Sequence, residues 1–540
     1  MDFWYSYRGH VKKLWPRRLL DTITWESFER QEGDIYSGFV KPRYSIISYT
    51  WGRFELRNAP PEAPRLPVTG ITWEIPAIDP EVGFSTDRFM QMIQRTREIS
   101  GNRFIWLDVA CIDQENYAVK MEEVGKQAGI FANAGVAFVW LWTMPTAVVR
   151  DGWTLYQRMA AEWHDTEGAE ADIGIIEAVR AVFVTMLDDR WFSSLWTLQE
   201  ERLRTDALLI SEDGEAGTTS SEDVQFTLSF MHLGFNRIYR TLCMGQSDDV
   251  RIRSAADELR WRIKKAGYMA EVGTNPNLAF TSAHLRQATN ELDRIYGIIA
   301  LYNIRVGATV PGVDLKRRYT LDDLREEFVV ALNQKSLYLG QLFVHVTRPA
   351  VTWKITQNAR VPEGFDEWDD KFVELGCSLD IRPDGLAHIR GNITSFQDLV
   401  TFWHARLPQL TRVDCHYHLN VLVDDYVCQE HPALQSLVEK FWARERRFSH
   451  TQETVVGLTE TFGSQRLSVV RLGGTTSGPG RPDIYGEFHG LLILHDEDNR
   501  ARCQRIGICR WEGDTFRWQV SQEVLALNPT FAETYEGEIY

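Results

Sequence analysis

The sequence predicts an α/β protein whose N-terminal domain is a doubly wound parallel sheet, followed by a mainly helical region and a β-rich C-terminal domain. Three apolar runs carry this expectation: YSIISY (44–49), FIWLDV (104–109) and VAFVWLW (136–142). Amphipathic stretches at helical spacing lie between them. Strand, helix, strand, helix, strand is the order of parallel strands joined by crossover helices. Right-handed crossovers turn such a series into a doubly wound sheet.

The first run ends in Thr50, Trp51 and Gly52, as a buried parallel strand does before a loop. A Pro-rich stretch follows, and then Ser85, Thr86 and Asp87 supply helix N-cap chemistry ahead of Phe89, Met92, Ile93, Thr96 and Ile99. The second run breaks at Asp113, Gln114, Glu115 and Asn116. Met121, Val124, Ala128 and Phe131 form the next helical stripe, which leads into the third run. Residues 145–189 are rich in helix formers, and RWFSSLWTLQE (190–200) precedes a fourth strand candidate, ALLIS (207–211).

Beyond this, residues 216–345 read as mainly helical, with Thr320 as an N-cap for Leu321, Leu324, Phe328 and Leu332. From residue 346 the pattern favours strands. Runs at 488–494, 503–511 and 516–520 are separated by DEDNR and EGD, the spacing of an antiparallel meander. GGTTSGPG (473–480) reads as a loop. The expected organisation is therefore 1–215, with insertions at 53–86 and 143–189, then 216–345, then 346–540. Internal repeats and heptads are absent.

Length and composition agree with several globular domains. The chain has 540 residues, 44% hydrophobic and 25% charged, enough to bury sizeable cores. Its net charge of −16 argues against a broad nucleic-acid surface or an anionic-membrane surface, which need clustered Lys and Arg. Seven scattered cysteines without a CxxC pair suit a reducing compartment. Since no apolar stretch approaches the ~20 residues that span a bilayer and the N-terminus has no secretory core, the expected location is cytoplasmic.

Four segments in order resemble the fungal heterokaryon-incompatibility (HET) domain: PRRLLD (16–21), YSIISYTWG (44–52), FIWLDVACIDQ (104–114) followed by VAFVWL, and RWFSSLWTLQE (190–200). ELDRIYGI (291–298) is similar to a segment that follows HET cores. HET domains in turn resemble TIR domains, so the resemblance implies a TIR/flavodoxin-like sheet. Catalytic TIR domains cleave NAD at the nicotinamide–ribose bond with an essential Glu in a serine-tryptophan setting. Carried over, that implies Glu200 as the catalytic carboxylate, Trp196 beside it, and NAD as a substrate rather than a cofactor. It also implies an effector of nonself recognition and programmed cell death, self-associating through the TIR-like domain or answering to an upstream recognition protein. The alternative is a TIR-like signalling module without catalysis.

Ligands of open parallel sheets bind at the carboxyl ends of the strands. That rim should hold Ser48, Tyr49, Trp51 and Gly52 after the first strand, and Asp108, Cys111, Asp113 and Gln114 after the second. Each has a plainer reading. Thr197 to Glu200 fits an S/T-x-x-E capping box, in which Glu200 would only cap a helix. Asp108 could meet a ribose hydroxyl, but local backbone amides are its favoured partners. Trp51 could stack on a base or simply pack, and Gly52 permits a tight turn. Cys111 is favoured as a buried structural thiol over a nucleophile. Cys415, His416 and His418 lack further zinc ligands at recognisable spacing, so no metal is expected. No phosphate-cradling GxxxxGK[ST] and no GxSxG elbow occur.

Overall fold

A computed structural model of the protein describes residues 11–50, 55–56, 58–79, 81, 83–148, 154, 173–216, 226–232, 234–235, 250–267, 275–362, 372–374, 376–382, 385–406, 419–439, 447–476, 485–512 and 533–540. The chain divides into two compact units. One comprises residues 1–272 and 282–325, the other 273–281 and 326–540. No helix among the described residues is long and apolar enough to cross a membrane.

The first unit is built on a six-stranded sheet. Its strands in chain order are β1 (Arg18–Asp21), β2 (Ser27–Glu29), β5 (Tyr44–Ser48), β6 (Phe104–Trp106), β7 (Val136–Trp140) and β8 (Leu208–Ile210), with a small hairpin of β3 (Ile35–Tyr36) and β4 (Phe39–Val40) between β2 and β5. The spatial order is β2-β1-β6-β5-β7-β8. β6, β5, β7 and β8 run parallel. All five residues of β5 are buried, which is why it reads as an uninterrupted apolar run. PRRLLD, expected only as an entry segment, supplies β1, which joins β6 antiparallel through Leu20↔Ile105 and Asp21↔Phe104.

Between the parallel strands lie α1 (Thr86–Ser100), α2 (Asp108–Cys111), α3 (Tyr117–Val124), α4 (Gln127–Asn133), α5 (Ile173–Asp188) and α6 (Leu195–Leu203). Ser85 caps α1 by accepting from the Arg88 amide at 3.2 Å, and Gly101, at φ 68°, ends it in a left-handed turn that side chains with a Cβ resist. Phe89, Met92, Ile93 and Thr96 form its buried face. From β5 the chain crosses first to β6 on one side and then to β7 on the other. The strand order thus reverses beside β5, and right-handed crossovers place α1 and the later helices on opposite faces. A crevice opens at such a reversal, outside the carboxyl ends of the strands.

The second unit contains an eight-stranded sheet. After a two-stranded ladder of β9 (Val344–His345) and β10 (Ala359–Arg360), its strands are β11 (Phe372–Glu374), β12 (Ser378–Ile381), β13 (Ala387–Ser395), β14 (Leu419–Val423), β15 (Leu467–Thr476), β16 (Tyr485–His495), β17 (Arg502–Glu512) and β18 (Glu533–Ile539). β15, β16 and β17 form the antiparallel meander expected from the apolar runs. β17 meets β18, β18 meets β13, and β13 returns to β15, so the ladder closes and unpaired edges are reduced. Residues 473–476, expected as part of a loop, are the end of β15. Both 516–520 and the Cys415, His416 and His418 cluster lie outside the described residues.

Candidate active site

Strand β5 carries Ser48 at its carboxyl end, beside the reversal of strand order. Tyr49 follows directly on β5, and its ring is wedged in an aromatic stack. It lies 4.8 Å from Phe89, and Phe89 stacks on Trp140 at 5.4 Å with an interplanar angle of 6°. This packing fixes the phenol, whose hydroxyl donates to Asp108 Oδ1 at 2.5 Å. Asp108 also accepts from the Val109 amide at 2.7 Å, because the run FIWLDV stops being a strand at Trp106 and turns into α2 at Asp108. Asp108 therefore has the local backbone partner the sequence favoured, together with a phenol from the neighbouring strand.

Glu200 reaches the same place from α6. That helix starts at Leu195 with Ser194 at the N-cap position, so Glu200 sits in its sixth position and is no capping residue. Thr197, the would-be cap, turns back to accept no amide. Its hydroxyl donates to the Trp191 carbonyl and, at 2.9 Å, to the Ser194 carbonyl. The capping-box reading is thereby overturned. The Glu200 carboxylate accepts a hydrogen bond from Ser48 Oγ, and Ser48 Oγ accepts from the Trp191 indole N–H at 2.7 Å. Trp191, Ser48 and Glu200 thus form a directed chain, with the indole N–H orienting the hydroxyl toward the carboxylate.

Burial is the largest influence on Glu200, and with the neighbouring Asp108 it pushes the carboxyl up to about 8, against the hydrogen bond from Ser48. The Asp108 carboxyl is likewise raised, first by burial, while Tyr49 and the Val109 amide pull it down. Two carboxyl groups in one poorly solvated place disfavour each other's ionisation. Both residues nevertheless retain partial solvent exposure. Because the Ser48 bond favours the ionised form, Ser48→Ala is expected to move the Glu200 titration midpoint upward by about one pH unit. Carbon NMR titration of labelled glutamate carboxyls measures this; an unmoved midpoint would show the bond to be incidental.

The remaining sequence candidates are placed less centrally. Asp113 Oδ1 accepts from the Glu115 and Asn116 amides at 3.0 and 2.9 Å, a local turn. It borders a separate cavity of about 670 Å³ shared with Tyr117 and Lys316. Gln114 donates to the Ile112 carbonyl at 3.3 Å and steadies the loop. Trp196 precedes Glu200 by one helical turn, so the two share a face, and its indole donates to Asp293 Oδ2 at 3.1 Å. Trp51 and Gly52 lie outside the described residues. Cys111 is 1% exposed and burial pushes its thiol up to about 12, the behaviour of a structural cysteine.

Three contributors were not singled out from the sequence: Trp191, Asp293 and Arg286. The first two sit inside the RWFSSLW and ELDRIYGI blocks, which offered a signal. Arg286 lies in no recognised block, yet it is 1% exposed and donates to the Trp191 and Ser194 carbonyls, both at 3.2 Å. It therefore clamps the turn that launches α6. Gln199, on the inner face of α6, donates to Gln127 at 2.7 Å and accepts from the Ala300 amide at 3.0 Å. These bonds set the rotation of α6 that turns Glu200 toward Ser48.

No curated protein and no solved structure matches the chain. Residues 44–200, the stretch that runs from β5 into α6 and carries Ser48, Tyr49, Asp108, Trp191 and Glu200, match the family model described as Heterokaryon incompatibility protein (HET).

Proposed function

We propose that the matched stretch is a HET domain and a TIR-like NAD glycohydrolase whose essential carboxylate is Glu200, and that it acts as an effector in fungal nonself recognition and cell death. The matched family ties the chain to heterokaryon incompatibility. The observation that carries the enzymatic reading is the Glu200 carboxylate, held by Ser48 at the end of the first parallel strand beside the Tyr49–Asp108 pair. The 2-1-3-4 order of the parallel strands β5 to β8 supports kinship with doubly wound folds that bind nucleotides at this reversal.

In the proposed reaction the bond between the ribose and the nicotinamide nitrogen breaks, and its electron pair goes to the nitrogen. Nicotinamide leaves neutral, and positive charge develops on the ribosyl group. Water then adds to that group and loses a proton, leaving ADP-ribose. Glu200, ionised, stabilises the ribosyl cation electrostatically. Asp108 and Tyr49 are suited to ribose hydroxyls, and Trp196 shares the Glu200 face. A carboxyl raised to about 8 is mostly protonated in the empty site at neutral pH. The cationic nicotinamide ring of NAD favours the ionised form, so substrate binding expels the proton.

The direct test is incubation of the purified full chain with NAD, following nicotinamide by chromatography across pH. At subsaturating NAD, cleavage should rise with pH and level off above about pH 8, the free-enzyme value of Glu200, since kcat/KM reports the free enzyme. Absence of nicotinamide under all conditions, with toxicity retained in cells, would leave a non-catalytic module that acts through self-association or an upstream partner.

A further inference from the structure

The opposite end of the same sheet carries a second feature that the proposed chemistry does not use. A cavity of about 930 Å³ lies where β5 and β7 begin, lined in part by Trp15, Asn102 and Asn133 and by three cations, Lys13, Lys41 and Arg43. Among the described lining residues there is no carboxylate. All three cations are exposed. In a chain of net charge −16, three cations around one concavity with no carboxylate in its described lining are a local reversal of sign.

The chain is built to put them there. Residues 11–16 lie across α4 at Gly129, where an added Cβ would meet Leu14 Cγ and the Lys12 carbonyl oxygen at 2.7 Å each. The Leu14 amide donates to the Gly129 carbonyl at 3.1 Å. This contact sets Lys13 and Trp15 over the start of the sheet, and Trp15 packs 5.6 Å from Tyr44. Lys41 follows the β3–β4 hairpin with φ at 47°, a left-handed conformation that residues with a Cβ resist. Its amide donates to the Asp34 carbonyl at 2.9 Å.

The plain explanation would be that the cations neutralise the carbonyl end of α4, which points here. That role is already filled from inside. Arg204, 2% exposed, donates to the Phe131 and Ala134 carbonyls at 3.1 and 2.9 Å. The surface cations are therefore left for something outside the protein.

We infer that this cavity at the amino ends of the strands binds a phosphate-bearing small anion through Lys13, Lys41 and Arg43. Three cations facing one concavity suit an anion with several phosphate charges. A soluble polyphosphate and a phosphorylated lipid headgroup share this chemistry, and the test separates them.

Inorganic tripolyphosphate is titrated into the full chain by calorimetry. The same protein is floated with phosphatidylcholine vesicles containing a phosphatidylinositol bisphosphate. The expected result is salt-sensitive binding of tripolyphosphate that weakens by at least about tenfold in Lys13→Gln/Lys41→Gln/Arg43→Gln. All three positions are exposed, so folding should survive, and circular dichroism checks it. Binding confined to the vesicles and lost in the same variant assigns the headgroup as the source. Binding of neither probe, or binding undiminished in the triple variant, overturns the inference. Tripolyphosphate has no glycosidic bond, and Glu200→Gln should leave its binding unchanged, so failure here is independent of the NAD reading.

Discussion

Glu200→Gln is expected to lower NAD cleavage by about 10²–10³-fold or more, the usual cost of removing one electrostatic stabiliser of a transition state, while the protein remains folded. Glutamine keeps the size of the side chain and an oxygen to accept from Ser48, but it cannot carry the charge that the proposed reaction sets against a ribosyl cation. Stability supplies a second, independent reading of the same variant. The folded carboxyl is raised to about 8, above the ~4.3 of an unfolded Glu. A raised carboxyl contributes its stability below the unfolded value and loses it as pH rises toward the folded one. The wild type should therefore lose stability between about pH 4.5 and 8 relative to Glu200→Gln, by about 4–5 kcal/mol at the upper end. Melting curves of the two proteins should nearly coincide at pH 4.5, and the variant should melt higher at pH 8. A variant that cleaves NAD normally removes Glu200 from the chemistry, whereas parallel melting curves across pH would show the carboxyl to be well solvated.

Much of this site was legible because buried parallel strands leave continuous apolar runs. YSIISY, FIWLDV and VAFVWLW each contain a strand of the parallel sheet, and the ends of the first two bring Ser48, Tyr49 and Asp108 together with Glu200. Periodicity could not place the strand ends. FIWLDV is a strand for three residues and then a helix beginning at Asp108, and an apolar run of that length fits either state. The pattern TLQE misled for a related reason. A capping box is a sequence pattern only when the helix starts at its first residue, and here the helix starts earlier, at Leu195. β1 was missed because RRLLD is short and half charged, as an antiparallel addition beside the parallel core tolerates. The bonds that orient Glu200 were beyond reach in principle. Trp191 and Ser48 are 143 residues apart in sequence, and Arg286 and Glu201 are 85 apart. A local pattern carries no trace of such pairs.

Arg286→Met should be the most damaging single substitution in the first unit, costing about 3–5 kcal/mol because it strands a buried charge. Arg286 donates to Glu201 Oε2 at 3.1 Å inside a region where both side chains are at most 1% exposed. His232 closes the cluster with Nε2 at 2.5 Å from the other Glu201 oxygen. Burial alone would raise the Glu201 carboxyl, but His232 and then Arg286 outweigh it and hold it down at about 2. A depressed carboxyl contributes stability that is present above the unfolded value and lost as pH falls through the folded one. Acid should therefore destabilise the wild-type unit between about pH 4.5 and 2, and Arg286→Met somewhat less steeply, because one of the partners that lower the carboxyl is gone while His232 remains. Differential scanning calorimetry should show the variant melting several degrees lower at pH 7. Adding Glu201→Met should recover part of the loss, since removing both ends of a buried pair costs less than removing one. If the double variant is as unstable as the sum of its parts, the pair is uncoupled and Arg286 acts through the carbonyls alone. Those carbonyls tie the prediction to function. Arg286 holds the Trp191 and Ser194 carbonyls, Trp191 orients Ser48, and Ser48 orients Glu200. Below its melting range, Arg286→Met should bind NAD nearly as well as wild type but turn it over more slowly, a fall in kcat with KM little changed. A merely structural arginine would leave kcat of the folded fraction where it was.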